Sequence, residues 1–172
     1  FCKDGLDIDT ISVFLEKDGA LLKDYDEPGV EHISYAEVVT CKCDVLVPAA
    51  LENQITAENA GDLNCSCIVE AANGPTTEEA DAILEKRGIT LIPDIFANSG
   101  GVIVSYFEWV QNIQELTWDR DQVNEMLEKL MSRSFQSILD VTEECHCTFR
   151  MAAYIVALRK LVTAEKMKGI FP

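Results

Sequence analysis

The stretch CIVEAANGPTTEEADAILEKRGITLIP, Cys67–Pro93, decides the fold. It opens on an apolar run, Cys67–Glu70, and turns through Asn73-Gly74-Pro75. It continues as a helix over Thr76–Lys86 before a second apolar run, Thr90–Pro93. Neither run alternates apolar with polar, so both read as buried strands. Thr76 and Glu79 have the spacing of a capping box, and Arg87-Gly88 is a natural helix stop. Strand, turn, helix and strand in this order predict a right-handed crossover within a parallel sheet.

The pattern extends in both directions. Upstream, Cys43–Val47 is another run of the same kind, and Thr56–Ala60 is a short helix candidate between it and Cys67. Before that, Ser34 with Glu37 forms a capping-box pattern ahead of a short helix. Asp9–Lys17 carries Ile11, Phe14 and Leu15 at helical spacing, with Gly19 as its stop. Downstream, Val102–Val110 continues as a helix after Gly100-Gly101. Asp119 with Gln122 caps a long helix striped by Val123, Met126, Leu127, Leu130, Phe135, Ile138 and Leu139. After a break at Cys145–Cys147, a last helix over Thr148–Lys166 places Ala152, Ile155, Leu158 and Val162 on one face.

The expected architecture is therefore α/β: a partial Rossmann-like parallel sheet of about three strands, flanking helices and a helical carboxyl-terminal region. No repeat or low-complexity linker interrupts residues 1–172, so one domain is the expectation. Three strands are few for such a sheet, and the remaining strands are expected on polypeptide preceding Phe1.

Composition excludes whole classes of function. Lys and Arg number 14 against 30 Asp and Glu, a net charge of -16. Such a surface repels phosphate backbones and argues against nucleic acid as a partner. Apolar runs such as Val45–Ala50 fall far short of the ~18–20 residues that cross a bilayer, so no membrane span is expected. Of seven cysteines, six form the C-x-C pairs Cys41/Cys43, Cys65/Cys67 and Cys145/Cys147. Structural zinc sites space their first cysteines more widely, so semi-buried thiols are expected, with metal or redox roles as the alternatives. An odd cysteine count without a secretory segment favours a reducing compartment. The cytoplasm is the expected location, with the mitochondrion as the alternative.

Ligands of parallel sheets bind outside the carboxyl ends of the strands. Three loops meet that description: Pro48–Ile55, Ala71–Thr77 and Asp94–Gly101. All are dominated by small residues and uncharged amides, which let a flat ring or ribose approach the backbone. Each alone reads better as an ordinary turn; together, at the ends of three parallel strands, they read as one site. No Ser-His-Asp or Cys-His arrangement, and no Gly-x-Gly-x-x-Gly, accompanies them. No catalytic side chain and no metal ligand is therefore assigned.

Three runs carry a resemblance: Val45–Ala50; Glu70–Thr77 with Glu79-Ala80-Asp81; and Ala97–Asn112, which contains Ser105-Tyr106-Phe107-Glu108-Trp109. They resemble the nucleotide-binding domain of hexameric glutamate dehydrogenases, within the Glu/Leu/Phe/Val dehydrogenase family. Asp4-Gly5-Leu6-Asp7 and Arg150–Tyr154 resemble the same family. The resemblance implies NAD- or NADP-dependent oxidative deamination of L-glutamate to 2-oxoglutarate and ammonia, and a homo-hexameric assembly. It implies that Ala49 and Ala50 line the dinucleotide, that Asn73 meets its ribose and that Asn98 faces the nicotinamide. It implies that Val102 and Ser105 face the substrate, with the Ser105 hydroxyl on the distal carboxylate. The lysines and aspartate of the family's catalytic centre belong to a substrate domain, which is expected as a separate amino-terminal partner. The isolated chain is thus expected to be inactive; the alternative is a non-catalytic binding or structural protein derived from the enzyme. The chain departs from the family pattern at Ala71 and Ser99, where glycine and alanine are usual. Ala71 puts a methyl where a positive φ or close backbone approach would favour glycine.

Overall fold

The computed structural model of the chain describes residues 1–169. The chain divides into two compact units, Phe1–Cys41 and Lys42–Pro172. Nothing in the composition near residue 41 marks that boundary, which is why the sequence counts a single domain.

The first unit holds α1 (Ile8–Leu15), a 3-10 turn (Leu22–Asp24) and α2 (Tyr35–Thr40). Asp7 caps α1 by accepting from the Thr10 amide, and the Ser34/Glu37 capping box of α2 is complete in both directions. Ile11, Tyr25 and Val39 are its buried apolar residues, and the Phe14 and Tyr25 rings meet edge to face at 5.2 Å.

The second unit is built on three parallel strands in the order β1 (Val45–Leu46), β2 (Cys67–Val69) and β3 (Thr90–Ile92). Val45 pairs with Cys67, and Cys67 with Thr90, so the strand ends are level. The α/β class, the parallel sheet and the helical carboxyl-terminal region are as the sequence indicates. Burial of β1 is not: Val45 and Val47 are 50% and 52% exposed. Strand β1 is an end strand paired on one side only, whereas central β2 buries Ile68 completely.

The crossover from β1 to β2 is also not helical, contrary to the reading of Thr56–Ala60; residues 57–62 form turns. Asn59 explains this. Its side chain accepts from the Thr56 amide and donates to the Gln54 carbonyl, giving the backbone a local alternative to helix. The turns are then pinned from α3 (Glu78–Lys86), where the Arg87 guanidinium donates to the carbonyls of Ala60 and Leu63.

Helix α3 starts one residue later than the Thr76/Glu79 spacing indicates. Thr77 is the cap, accepting from the Ala80 amide, while Thr76 bridges to Ile55 and keeps a buried hydroxyl without a hydrogen-bond partner. The stop at Arg87-Gly88 is as expected, with Gly88 at φ +71°.

Residues 94–101 are not an open loop. A short helix, α4 (Asp94–Ala97), runs through Asn98 into α5 (Ser99–Gln114), so Gly100 and Gly101 lie inside a helix. The capping box of α6 (Arg120–Cys145) forms as predicted. His146, in the left-handed conformation, turns the chain into α7 (Phe149–Lys168). These two helices bury Ile138, Val141, Ala152 and Ala153 together, with Phe96 of α4 packed against them. Phe96, Phe135 and Phe149 form a stacked column with centroid spacings of 5.4 and 6.2 Å. The stripe predicted for α7 is buried over only its first turns; Leu158 and Val162 are exposed, and on α6 Leu130 is exposed too. No helix among the described residues is long and apolar enough to cross a membrane.

Candidate functional site

The segments that follow β1 and β2 are stitched to each other by backbone hydrogen bonds. The carbonyl of Pro48 accepts from the amides of Ala71 and Ala72, at 3.1 and 2.9 Å. In return, the carbonyls of Gly74 and Pro75 accept from Asn53, Gln54 and Ile55 at 2.7–2.9 Å. Two residues make the geometry possible, Asn53 at φ +54° and Gly74 at φ +56°. Asparagine and glycine tolerate this left-handed region far better than branched side chains. Ala71 does not take a positive φ, so its methyl costs no backbone strain.

Side chains join the second and third segments. Asn98 Nδ2 donates to Asn73 Oδ1 at 2.7 Å and to the Ala71 carbonyl at 3.3 Å. Those bonds commit one atom of each amide and leave Asn73 Nδ2 and Asn98 Oδ1 as the groups a ligand would meet. Asp94 Oδ2 accepts from the Gly74 amide at 2.8 Å.

Behind this surface sits an ion cluster that the sequence reading missed. Glu70, at the end of β2, is fully buried. Its Oε1 accepts from Arg150 Nη2 and its Oε2 from the Asp94 amide, both at 2.8 Å. Arg150 also donates through Nε to Asp81 at 2.6 Å and places Nη1 3.5 Å from Asp94 Oδ1. Burial works against the Arg150 charge, but the bonds to Glu70 and Asp81 outweigh it and hold the guanidinium above its ordinary range. The signal in the sequence was a glutamate inside an otherwise apolar strand: a buried carboxylate demands a cation. Nothing in the spacing says that the cation comes from 80 residues away.

The sequence-predicted residues fall as follows. Ala49 and Ala50 are exposed just beyond β1, and Asn73 and Asn98 touch. Val102 and Ser105 lie one turn apart on α5, both exposed, Val102 to 73%. Packing does not require the glycines before them. A Cβ on Gly101 would meet nothing within 4 Å, and one on Gly100 would make ordinary contact with Leu127 at 3.8 Å. Glycine inside a helix costs ~0.5–1 kcal/mol relative to alanine, so each spends stability on open space.

The cysteines lie elsewhere. Cys43 and Cys65 precede β1 and β2, at the opposite ends of the strands, and only Cys67 is in a strand. Cys145 closes α6 and is exposed, whereas Cys147 is half-buried in the turn that follows. Among the described residues no group of three or more metal-ligating side chains is arranged to hold an ion. Burial pushes the Cys65 thiol up, Cys43 adds to the effect, Arg87 opposes it and Cys67 contributes a little more. A raised thiol holds less thiolate at a given pH. The exposed Cys145 is therefore expected to alkylate with iodoacetamide at pH 7.5 faster than the half-buried Cys65. Peptide mass spectrometry over a time course measures both rates, and equal rates would contradict the burial of Cys65.

With the geometry established, the comparisons with known proteins converge. The family model described as Glutamate/Leucine/Phenylalanine/Valine dehydrogenase matches residues 1–169. A glutamate dehydrogenase from Thermotoga maritima is 44% identical over 169 residues, covering 98% of this chain and 40% of the relative. A cryptic catabolic NAD-specific glutamate dehydrogenase from Bacillus subtilis is 45% identical over 166 residues, covering 96% of this chain and 38% of the relative. Among solved structures, the leucine-bound hetero-hexameric glutamate dehydrogenase of Thermus thermophilus superposes with a TM-score of 0.88. That match is at 29% identity and covers 100% of this chain and 40% of that one. The enzyme from Peptoniphilus asaccharolyticus gives 0.69 at 46% identity, covering 73% and 32%. The chain thus spans about two fifths of the length of the curated relatives it matches. It belongs to the Glu/Leu/Phe/Val dehydrogenase family, and what it matches is the carboxyl-terminal, nucleotide-domain region of the glutamate dehydrogenases.

Proposed function

We propose that this chain is the dinucleotide-side half of the active cleft of a glutamate dehydrogenase, and that both of its compact units belong to one nucleotide-binding domain of a longer polypeptide. The observation that carries this reading is the joining of three strand-end segments, the first to the second by backbone bonds at Pro48, Gly74 and Pro75 and the second to the third through Asn98, Asn73 and Asp94, with small exposed residues around them. Identity of 44–45% to glutamate dehydrogenases supports the same conclusion.

In this reading Ala49 and Ala50 leave room for NAD or NADP, Asn73 hydrogen-bonds its ribose and Asn98 Oδ1 accepts from its carboxamide. Glycines 100 and 101 let the backbone of α5 approach a flat ring. The nicotinamide cofactor, when bound, accepts or returns the hydride. What these residues contribute is placement: they fix the donor carbon against the acceptor and hold water out on one side. Val102 presents an apolar wall to the methylenes of glutamate, and the Ser105 hydroxyl donates to its distal carboxylate. The amino-terminal substrate domain supplies the general acid and base, and the whole protein assembles as a hexamer, in a reducing compartment such as the cytoplasm.

The test is a rate assay with L-glutamate and each dinucleotide. Turnover is expected from the whole protein and none from the 172-residue chain. Turnover by the chain alone would refute the division of labour, and a whole protein inert with both dinucleotides would favour a non-catalytic descendant of the enzyme.

A further inference from the structure

Of the side chains that hold the candidate dinucleotide surface in place, Asn98 is also offered to a ligand, whereas Asp94, Glu70 and Arg150 are not. Both anchors of the Asn73-Gly74 turn come from the short helix α4 and the residue that ends it. Asp94, its first residue, accepts the Gly74 amide, and Asn98, four residues on, donates to Asn73. Residues four apart lie on one helical face, so α4 grips the turn at two points. The position of α4 is set in turn by Glu70, which accepts its first backbone amide, a group that has no partner within the helix. Glu70 is itself held by Arg150 at the start of α7.

We propose that Asp94, braced by Glu70 and Arg150, is a positioning residue for dinucleotide binding: it fixes the Gly74 peptide and thereby aims Asn73. The proposal rests on the dinucleotide reading of the site. A carboxylate suits the task better than an amide. Its two oxygens accept from Gly74 and from Ile95, at 2.8 and 2.7 Å, while Arg150 lies 3.5 Å from one of them. Asparagine offers one oxygen and turns an NH2 group toward either a donor or the guanidinium. The Asp94 side chain bonds Gly74 and Ile95 and faces Arg150, and none of these partners is Val102 or Ser105 on the glutamate side of the cleft.

The experiment uses the whole enzyme, with Asp94→Ala and Asp94→Asn. Dissociation constants for NAD and NADP come from quenching of protein fluorescence, KM for L-glutamate from assays at saturating dinucleotide, and exchange at Gly74 from hydrogen–deuterium exchange without ligand. Asp94→Ala is expected to weaken dinucleotide binding about tenfold, the equivalent of one hydrogen bond to a charged group. Asparagine keeps one acceptor and should restore part of the affinity; it also serves for every measurement if the alanine variant does not fold. The Gly74 amide should exchange faster in the alanine variant, and the KM for glutamate should stay within about twofold, because lost positioning at one substrate leaves the other's contacts intact. A merely structural role would lower thermal stability and leave the two ligands equally affected. Wild-type dinucleotide affinity in a folded Asp94→Ala enzyme overturns the proposal alone. Failure of the wild type to bind either dinucleotide overturns the dinucleotide reading, and this proposal with it.

Discussion

Replacing Arg150 with methionine is expected to destabilise the second unit by about 3–5 kcal/mol, the usual cost of leaving a buried charge without its partner. Glu70 is fully buried, and among the described residues its carboxylate bonds the Arg150 guanidinium and the Asp94 amide. Arg150 and Asp81 are each partly exposed, with side-chain exposures of 21% and 27%, so water screens that arm and the loss is dominated by Glu70. Lysine at 150 should recover only part of the loss, because a single ammonium cannot serve Glu70 and Asp81 with the fixed fork of a guanidinium. The decisive comparison is Arg150→Met in a Glu70→Gln background. The neutral amide still accepts from the Asp94 backbone and carries no charge to strand. The double variant should therefore be more stable than Arg150→Met alone, a coupling that a double-mutant cycle in guanidinium reads directly. If Arg150→Met costs under about 1 kcal/mol, a figure typical of an exposed pair, Glu70 does not depend on this cation.

The same cluster shows where sequence reading stops. Local rules located what is local. The capping boxes at Ser34 and Asp119 and the stop at Gly88 follow from residue types within a few positions of one another. The strands at 67 and 90 follow from apolar runs, and their parallel pairing from the helix between them. Errors occurred where a side chain redirected the backbone. Asn59 turned a helical spacing into successive turns, and the bridge between Ile55 and Thr76 moved the α3 cap to Thr77. Exposure of β1 and of the outer turns of α7 depends on what packs there, which no periodicity reports. For the site, the strand-end segments were legible from the strands before them, while Asn73 and Asn98, which the fold brings into contact, came from the family resemblance. Neither pointed to Asp94 as their anchor or Arg150 as the brace, since those pairings join residues 20 and 80 positions apart. Small residues announce where a ligand fits; the charges that hold such a place open are spread along the chain.

Ser105→Ala, made in the whole enzyme, should lower kcat/KM for L-glutamate by up to about a hundredfold, the upper range for losing a hydrogen bond to a carboxylate. Because Ser105 is exposed on α5, stability should change by no more than about 0.5 kcal/mol, which separates a binding role from a structural one. In the proposed reading Val102, one turn away, still contacts the methylenes, so an aliphatic amino acid of similar length should lose far less. The ratio between the two substrates is therefore the informative quantity. A pocket that loses a donor to the distal carboxylate rewards that group less, and discrimination falls. Dinucleotide affinity should be unchanged, because Asn98 holds Asn73 and Asp94 holds the Gly74 amide, and neither bond involves Ser105. Unaltered glutamate kinetics in Ser105→Ala would instead mean that the distal carboxylate is bound wholly from the opposite side of the cleft. The specificity of the enzyme would then reside outside these 172 residues. This chain would be left as the holder of the cofactor, with the Asp94–Glu70–Arg150 cluster as its principal contribution to catalysis.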